Sequence, residues 1–237
     1  MFITLEGIEG SGKTTQMDAI ARFLIDNGDQ VVTTREPGAT STGKKIRSIL
    51  LDPANRDISH LCELMLYGAD RAQHIYEVIL PALRSGKTVL CDRFADATVA
   101  YQGFGRGLEM QLIDDIYKMV AVDGSLKQGD QQTPNIGRAC LNILKPDITI
   151  LFDLDPAIGL ERTFRALRQG ERADNESRFE QEHLAFHQRV REGYLEIAMK
   201  EKDRFFIVDA SGSRDDILKQ IIEEILTRQK DMAISGC

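Results

Sequence analysis

The chain has 237 residues, 42% of them hydrophobic and 28% charged, with a formal net charge of −7. That length and balance suit one globular domain able to bury a substantial core. The acidic total argues against an extended polynucleotide footprint, which draws on a basic surface, and no apolar run approaches the roughly 20 residues of a membrane-spanning helix.

In chain order, Phe2-Ile3-Thr4-Leu5 is a short β-favouring run, with no signal peptide before it, that leads into Gly7-Ile8-Glu9-Gly10-Ser11-Gly12-Lys13-Thr14. The stretch fits G-x-x-x-x-G-K-[ST], and Met17, Ile20, Ala21 and Leu24 then recur at helical spacing until Asn27-Gly28. Strand, glycine loop and helix thus follow in the order that a phosphate-binding P-loop requires. Gly7, Gly10 and Gly12 let the backbone turn tightly so that its N–H groups meet phosphate oxygens. The start of the helix adds the positive end of its dipole. Lys13 is expected to reach the β/γ-phosphates and the Thr14 hydroxyl to ligate Mg²⁺, with Ile8, Glu9, Ser11 and Thr15 completing an ATP-binding loop. The sequence reads as a binder of a nucleoside triphosphate.

Residues 30–34 predict a second strand, ending in Arg35-Glu36-Pro37-Gly38 at the sheet edge where open α/β proteins bind ligands. Residues 57–83 read as mostly helical, with Leu61, Leu64, Met65 and Ala69 as one apolar face. Thr88-Val89-Leu90-Cys91 predicts a buried strand closed by Asp92-Arg93. A carboxylate there, opposite a P-loop, is the Walker-B arrangement for holding Mg²⁺ directly or through water. Gly103-Phe104-Gly105-Arg106-Gly107 has no strand leading into it and reads as a loop, 109–122 as a helix, and the polar stretch 123–140 as an insertion.

Ile148-Thr149-Ile150-Leu151-Phe152 is the next buried strand. Pro156 suits the first turn of a helix carrying Arg162, Arg165 and Arg168, and Arg172 and Arg178 lie beyond Gly170. Beside a P-loop, this arginine-dense segment, about 163–179, reads as a mobile lid. Residues 180–200 predict a long helix and 204–208 the last strand. Ser213-Arg214-Asp215-Asp216 resembles a capping box for a final helix that frays from Gln229 onward. Alternation of five buried strands with helices implies α/β architecture, a mainly parallel sheet covered on both faces. His183 and His187 share a helix face without a third ligand or an H-E-x-x-H pattern, so they read as surface or core histidines. Cys62, Cys91, Cys140 and Cys237 show neither C-x-x-C pairing nor disulfide density, which fits a reducing cytosol.

Several stretches occur in a shared order: Gly7 to Thr15, Thr34-Arg35-Glu36-Pro37-Gly38, Tyr67-Gly68-Ala69-Asp70-Arg71, Asp92-Arg93-Phe94, Ala100-Tyr101-Gln102, Lys145-Pro146-Asp147-Ile148-Thr149 and Arg178-Phe179-Glu180. Together they resemble the thymidylate kinase family of the bacterial kind over nearly the whole chain. The resemblance implies a single nucleoside-monophosphate kinase domain, the three-layer P-loop NTPase fold with a five-stranded parallel sheet. The implied reaction moves the γ-phosphoryl group of ATP to dTMP with Mg²⁺, giving ADP and dTDP for dTTP synthesis. It also implies a cytoplasmic homodimer that acts on small nucleotides, with no nucleic acid polymer and no membrane as partner.

By resemblance, Arg93 clamps the acceptor phosphate, since a guanidinium fork matches phosphate oxygens. Tyr67 stacks on thymine, Arg71 donates to a thymine carbonyl and Thr98 meets the base edge. Tyr101, followed by Gln102, crowds the sugar 2′ position; Glu9 lies near the 3′-hydroxyl or the metal; Arg35 and Pro37 help close the pocket. One branch of the family carries a P-loop arginine, and Ile8, Glu9, Gly10 and Ser11 include none. Arg165 or Arg168 is therefore expected to act as an arginine finger supplied in cis, with Arg172 in reserve. Two departures affect the lid and its surroundings: roughly 20 extra residues before Lys145, and Ser177 where an aspartate is common. Rival readings are a kinase for another nucleotide or a deoxynucleoside, a GTPase switch, for which the N-K-x-D guanine reader is missing, and a non-catalytic scaffold.

Overall fold

The computed structural model describes residues 1–121, 143–169 and 177–235. The predicted insertion, the 170–176 stretch of the lid with Arg172, and Cys140 and Cys237 lie outside them. Strands β1 (Phe2–Glu6), β2 (Val31–Arg35), β3 (Thr88–Asp92), β4 (Ile148–Asp153) and β5 (Phe205–Asp209) form a five-stranded parallel sheet in the order β2-β3-β1-β4-β5. The helices are α1 (Lys13–Asp26), α2 (Ser41–Leu51), α3 (His60–His74), α4 (Leu80–Arg84), α5 (Ala95–Thr98), α6 (Met110–Val120), α7 (Pro156–Arg168), α8 (Leu184–Lys200) and α9 (Arg214–Ser235). Among the described residues, no helix is long and apolar enough to cross a membrane.

β1 is central and wholly buried, as the continuous apolar reading of a two-sided parallel strand requires. Its side chains alternate between two cores. Ile3 and Leu5 pack with Ile20, Leu24 and Ile150; Phe2 packs with Ile79, Val89 and Phe94 on the other face. The register aligns Leu5 with Asp92, so the glycine loop after β1 and the Asp92-Arg93 pair after β3 emerge side by side at one sheet edge.

Four local expectations change. The predicted loop at 103–107 is π-helical from Val99 to Gly105, because its glycines serve packing. A Cβ at Gly103 would lie 2.7 Å from Met110 Cε, and one at Gly105 would lie 2.7 Å from Phe186 Cε2. On α3, Leu61, Met65 and Ala69 face outward, whereas Glu63, Leu64, Gly68, Asp70, Arg71 and His74 are buried. That inward face is charged because the charges are paired. The long helix starts at Leu184, not at residue 180. The last helix continues to Ser235 instead of fraying from Gln229, whose side chain donates to Asp29 Oδ2 at 3.0 Å.

Candidate active site

A cleft of about 1470 Å³ opens at the C-terminal edge of the sheet. Glu9, Gly10, Ser11, Gly12, Lys13, Thr14 and Thr15 line one end, while Gly7 and Ile8 are not part of the lining and turn their carbonyls to Lys13. The loop needs its glycines: Gly10 has φ +70°, and a Cβ there would sit 2.2 Å from Gly159 O on α7. Lys13 Nζ donates to Gly7 O at 2.9 Å, Ile8 O at 2.8 Å and Ser11 Oγ at 3.1 Å. Burial, followed by the nearby Arg93 charge, lowers its pKa to about 8.

The Thr14 hydroxyl donates to Asp92 Oδ2 at 3.4 Å, and Asp92 Oδ1 is buried with no hydrogen-bond partner among the described residues. A hydroxyl beside a carboxylate oxygen left unsatisfied fits a hard divalent cation. No cluster of three or more His, Cys, Asp or Glu gathers among the described residues.

Arg93 follows Asp92 at φ 69°, a left-handed backbone that a non-glycine residue keeps only when its surroundings enforce it. Its Nη2 donates to Glu9 Oε1 at 3.0 Å, its Nη1 donates to Tyr194 Oη at 3.1 Å, and the guanidinium lies 4.9 Å from the Tyr101 ring centroid. Tyr101 also donates to Glu9 Oε1 at 2.5 Å, and His187 Nδ1 lies 3.4 Å from Glu9 Oε2. Burial would raise the Glu9 carboxyl, but Arg93, His187 and Tyr101 together hold it well below the usual carboxylate range.

The other end of the cleft is lined by Arg35, Pro37, Tyr67, Arg71, Thr98 and Gln102. Arg71 is buried and fixed: Nε donates to Glu36 Oε2 at 2.8 Å, and Nη2 donates to Thr98 Oγ1 at 2.8 Å and Phe94 O at 3.1 Å. His74 bridges Glu36 Oε1 at 2.9 Å and Thr34 Oγ1 at 2.7 Å. Asp70 Oδ1 accepts from Gly38 N at 3.1 Å, which ties the turn after β2 to α3; burial and then Glu36 push its carboxyl up to about 6. Gln102 Nε2 turns to Glu63 Oε1 at 2.8 Å.

Two binding walls thus face each other across Arg93. A family model described as thymidylate kinase matches residues 5–122 and 133–221. The chain belongs to the thymidylate kinase family. It is 56% identical over 228 residues to thymidylate kinase of Desulforapulum autotrophicum, covering 96% of this chain and 92% of that relative. It is 49% identical over 222 residues to thymidylate kinase of Desulfosudis oleivorans, covering 94% of each. The crystal structure of thymidylate kinase from Ehrlichia chaffeensis superposes with a TM-score of 0.69 at 31% identity, covering 95% of this chain and 98% of that one. As a thymidylate kinase, the chain transfers a phosphoryl group from ATP to dTMP, giving dTDP for dTTP synthesis.

In this thymidylate kinase, exposed Arg165 lines the cleft, and exposed Arg168, one turn on, is not among the lining residues. Arg162, unassigned by sequence, also lines the cleft and reaches Ala210 O at 3.2 Å and Gly10 O at 3.5 Å. The sequence assigned no role to Glu6, Glu63 or Tyr194; Asp70 stood within the shared Tyr67–Arg71 stretch without a role of its own, and His187, read as a surface or core histidine, is buried beside Glu9. Glu6 carried a local signal, a carboxylate ending a buried strand as Asp92 does.

Proposed function

We propose that transfer of the γ-phosphoryl group from ATP to dTMP is organised by Arg93, with Lys13 holding the donor phosphates and Arg93 the acceptor phosphate. The observation carrying this reading is the position of Arg93, between Glu9 of the P-loop and the aromatic wall formed by Tyr101 and Tyr194. A phosphate monoester is already ionised, so the chain need not supply a strong base; it aligns donor and acceptor and neutralises charge. Gly10, Ser11, Gly12 and Thr15 cradle the phosphates with backbone donors. Thr14 and Asp92 would hold Mg²⁺, which would supply charge neutralisation for the phosphates. Arg165 adds a guanidinium to the transferred group.

On the acceptor side, Tyr67 stacks on thymine, and Arg71 donates through Nη1, its Nε and Nη2 being committed to Glu36, Phe94 and Thr98. Thr98 and Gln102 flank the base, with Arg35 and Pro37 closing the wall. Tyr101 and Glu9 lie beside the sugar. The whole chain works as one kinase domain. Two copies pair through the outer face of α3 and of the π-helical segment Ile75–Ile79 that continues it, where Leu61, Met65 and Tyr76 are 51%, 56% and 66% exposed. The acidic total, the free thiols Cys62 and Cys91 and the nucleotide substrates support a cytoplasmic setting.

The test is ADP release with dTMP, dUMP, dCMP, AMP and thymidine, using the wild type and Arg93→Ala. Loss of a charged fork should lower kcat/KM for dTMP by about a hundredfold, with the KM for ATP little changed. An Arg93→Ala enzyme that handles dTMP like the wild type would overturn the reading.

A further inference from the structure

We infer that Glu6 and Tyr194 are positioning residues for phosphoryl transfer, setting the plane and reach of the Arg93 guanidinium from behind. This rests on Arg93 being the acceptor clamp. Glu6 is the last residue of β1 and is fully buried. Its Oε1 accepts from Phe94 N at 2.7 Å, the peptide immediately after Arg93. Its Oε2 accepts from the Tyr194 hydroxyl at 2.8 Å, and the same hydroxyl oxygen accepts from Arg93 Nη1 at 3.1 Å. One carboxyl group therefore holds both the backbone and, through one phenol, the side chain of the clamp.

Arg93 needs that hold. Its φ of 69° is an uncommon backbone for a residue with a Cβ, kept only where the surroundings enforce it. Arg93 N donates to Leu5 O at 3.0 Å and Phe94 N to Glu6, so β1 fixes two consecutive peptides around the strained residue. With Nη1 anchored on Tyr194, the guanidinium cannot swing about its own axis, and Nη2 stays on the side of Glu9. Neither Glu6 nor Tyr194 lines the large cleft, so their influence on the substrate passes through Arg93. The link survives a change in Glu6 protonation, because a carboxyl hydroxyl and a phenol can exchange donor and acceptor roles while the other carboxyl oxygen still accepts from Phe94 N.

Tyr194→Phe keeps the buried ring and removes only the hydroxyl. It is expected to lower kcat/KM for dTMP about tenfold, the scale of one charge-assisted hydrogen bond, while the KM for ATP stays close to wild type. Combined with Arg93→Ala, it should add less than about twofold, because residues acting through one another are not additive. Glu6→Leu, which removes both acceptor oxygens, should shift the dTMP parameters in the same direction as Tyr194→Phe. Tyr194→Phe kinetics equal to wild type, equal losses for ATP and dTMP, or a full further loss on top of Arg93→Ala would each overturn the inference. Arg93→Ala alone leaving dTMP kinetics intact would instead remove the clamp assignment beneath it.

Discussion

Gly159 gives the sharpest test of how the P-loop is held. It lies in α7, where an alanine is intrinsically favoured over glycine by roughly 0.8–1 kcal/mol. The tertiary setting opposes that gain. A Cβ at Gly159 would lie 2.4 Å from Glu9 O and 3.1 Å from Ile8 Cδ1, whereas ordinary contact begins near 3.4 Å. The loop and the helix would have to part by about 1 Å. Overpacking on that scale costs roughly 1–3 kcal/mol, so after the propensity gain Gly159→Ala should lose only about 0–2 kcal/mol of stability. For a chain of this size that is a fall of a few degrees in melting temperature, about 2–4 °C per kcal/mol.

The kinetic effect should be larger than the stability effect, because the displaced group is the Glu9 peptide of the phosphate cradle. A misplacement of about 1 Å in a reacting geometry is worth on the order of a hundredfold in rate. We expect kcat/KM for ATP to fall at least tenfold in the coupled assay, with binding of dTMP less affected. Gly28→Ala is the control: Gly28 has φ +95° and nothing within 4 Å, so alanine there strains a remote turn and leaves turnover alone. Wild-type kcat/KM for ATP in Gly159→Ala would refute the idea that backbone contact between α7 and the loop sets the cradle.

Three further outcomes follow from the site. Glu63 Oε2 accepts from Arg178 Nη2 at 2.6 Å and its two oxygens accept from Arg106 at 3.2 Å, so Glu63→Gln, leaving buried guanidinium charge unbalanced, should cost roughly 3–5 kcal/mol near pH 7. Burial raises its carboxyl, but Arg106 and then Arg178 outweigh it and hold the pKa below 4.5; that stability is present above pH 4.5 and lost as pH falls through the folded value, so thermal melts of wild type and variant should converge in acid, and a constant gap would contradict this. Arg165→Ala should lower kcat by about tenfold or more and Arg168→Ala by less than about threefold, because Arg165 lines the cleft and Arg168 does not; the reverse order would reassign the finger. Asp92→Asn should raise the Mg²⁺ concentration for half-maximal turnover by about tenfold or more, and an unchanged Mg²⁺ titration would remove Asp92 from the metal site.

The strands and the P-loop were legible because both are local. A buried strand is a short apolar run, and the glycine loop declares its spacing within eight residues. Arg35, Tyr67, Arg71, Thr98 and Tyr101, proposed for the dTMP side, come together at the cleft although they are scattered along the chain, and only the shared order of motifs linked them beforehand. α2 was missed: Gly43 and adjacent lysines blur its periodicity, and its start rests on Thr40, whose side chain accepts from Gly43 N at 2.9 Å.

α3 shows why hydrophobic periodicity fails here. Its inward face carries Glu63, Asp70, Arg71 and His74, each neutralised or bonded by groups far away in sequence: Glu36, Gly38, Thr98, Arg106 and Arg178. Paired charges can occupy a core at the cost of desolvation, and that cost is accepted where orientation matters more than burial. A pattern search that scores charge as solvent-facing must then turn the helix inside out, assigning Leu61 and Met65 to the core they do not enter. The same physics hid Glu6. In a strand it reads as the end of an apolar run; in the fold it lies beneath Arg93 because Leu5 aligns with Asp92 across β1 and β3. The position of a clamp is written in strand register, and register between strands that pair Leu5 with Asp92 is not visible in either strand alone.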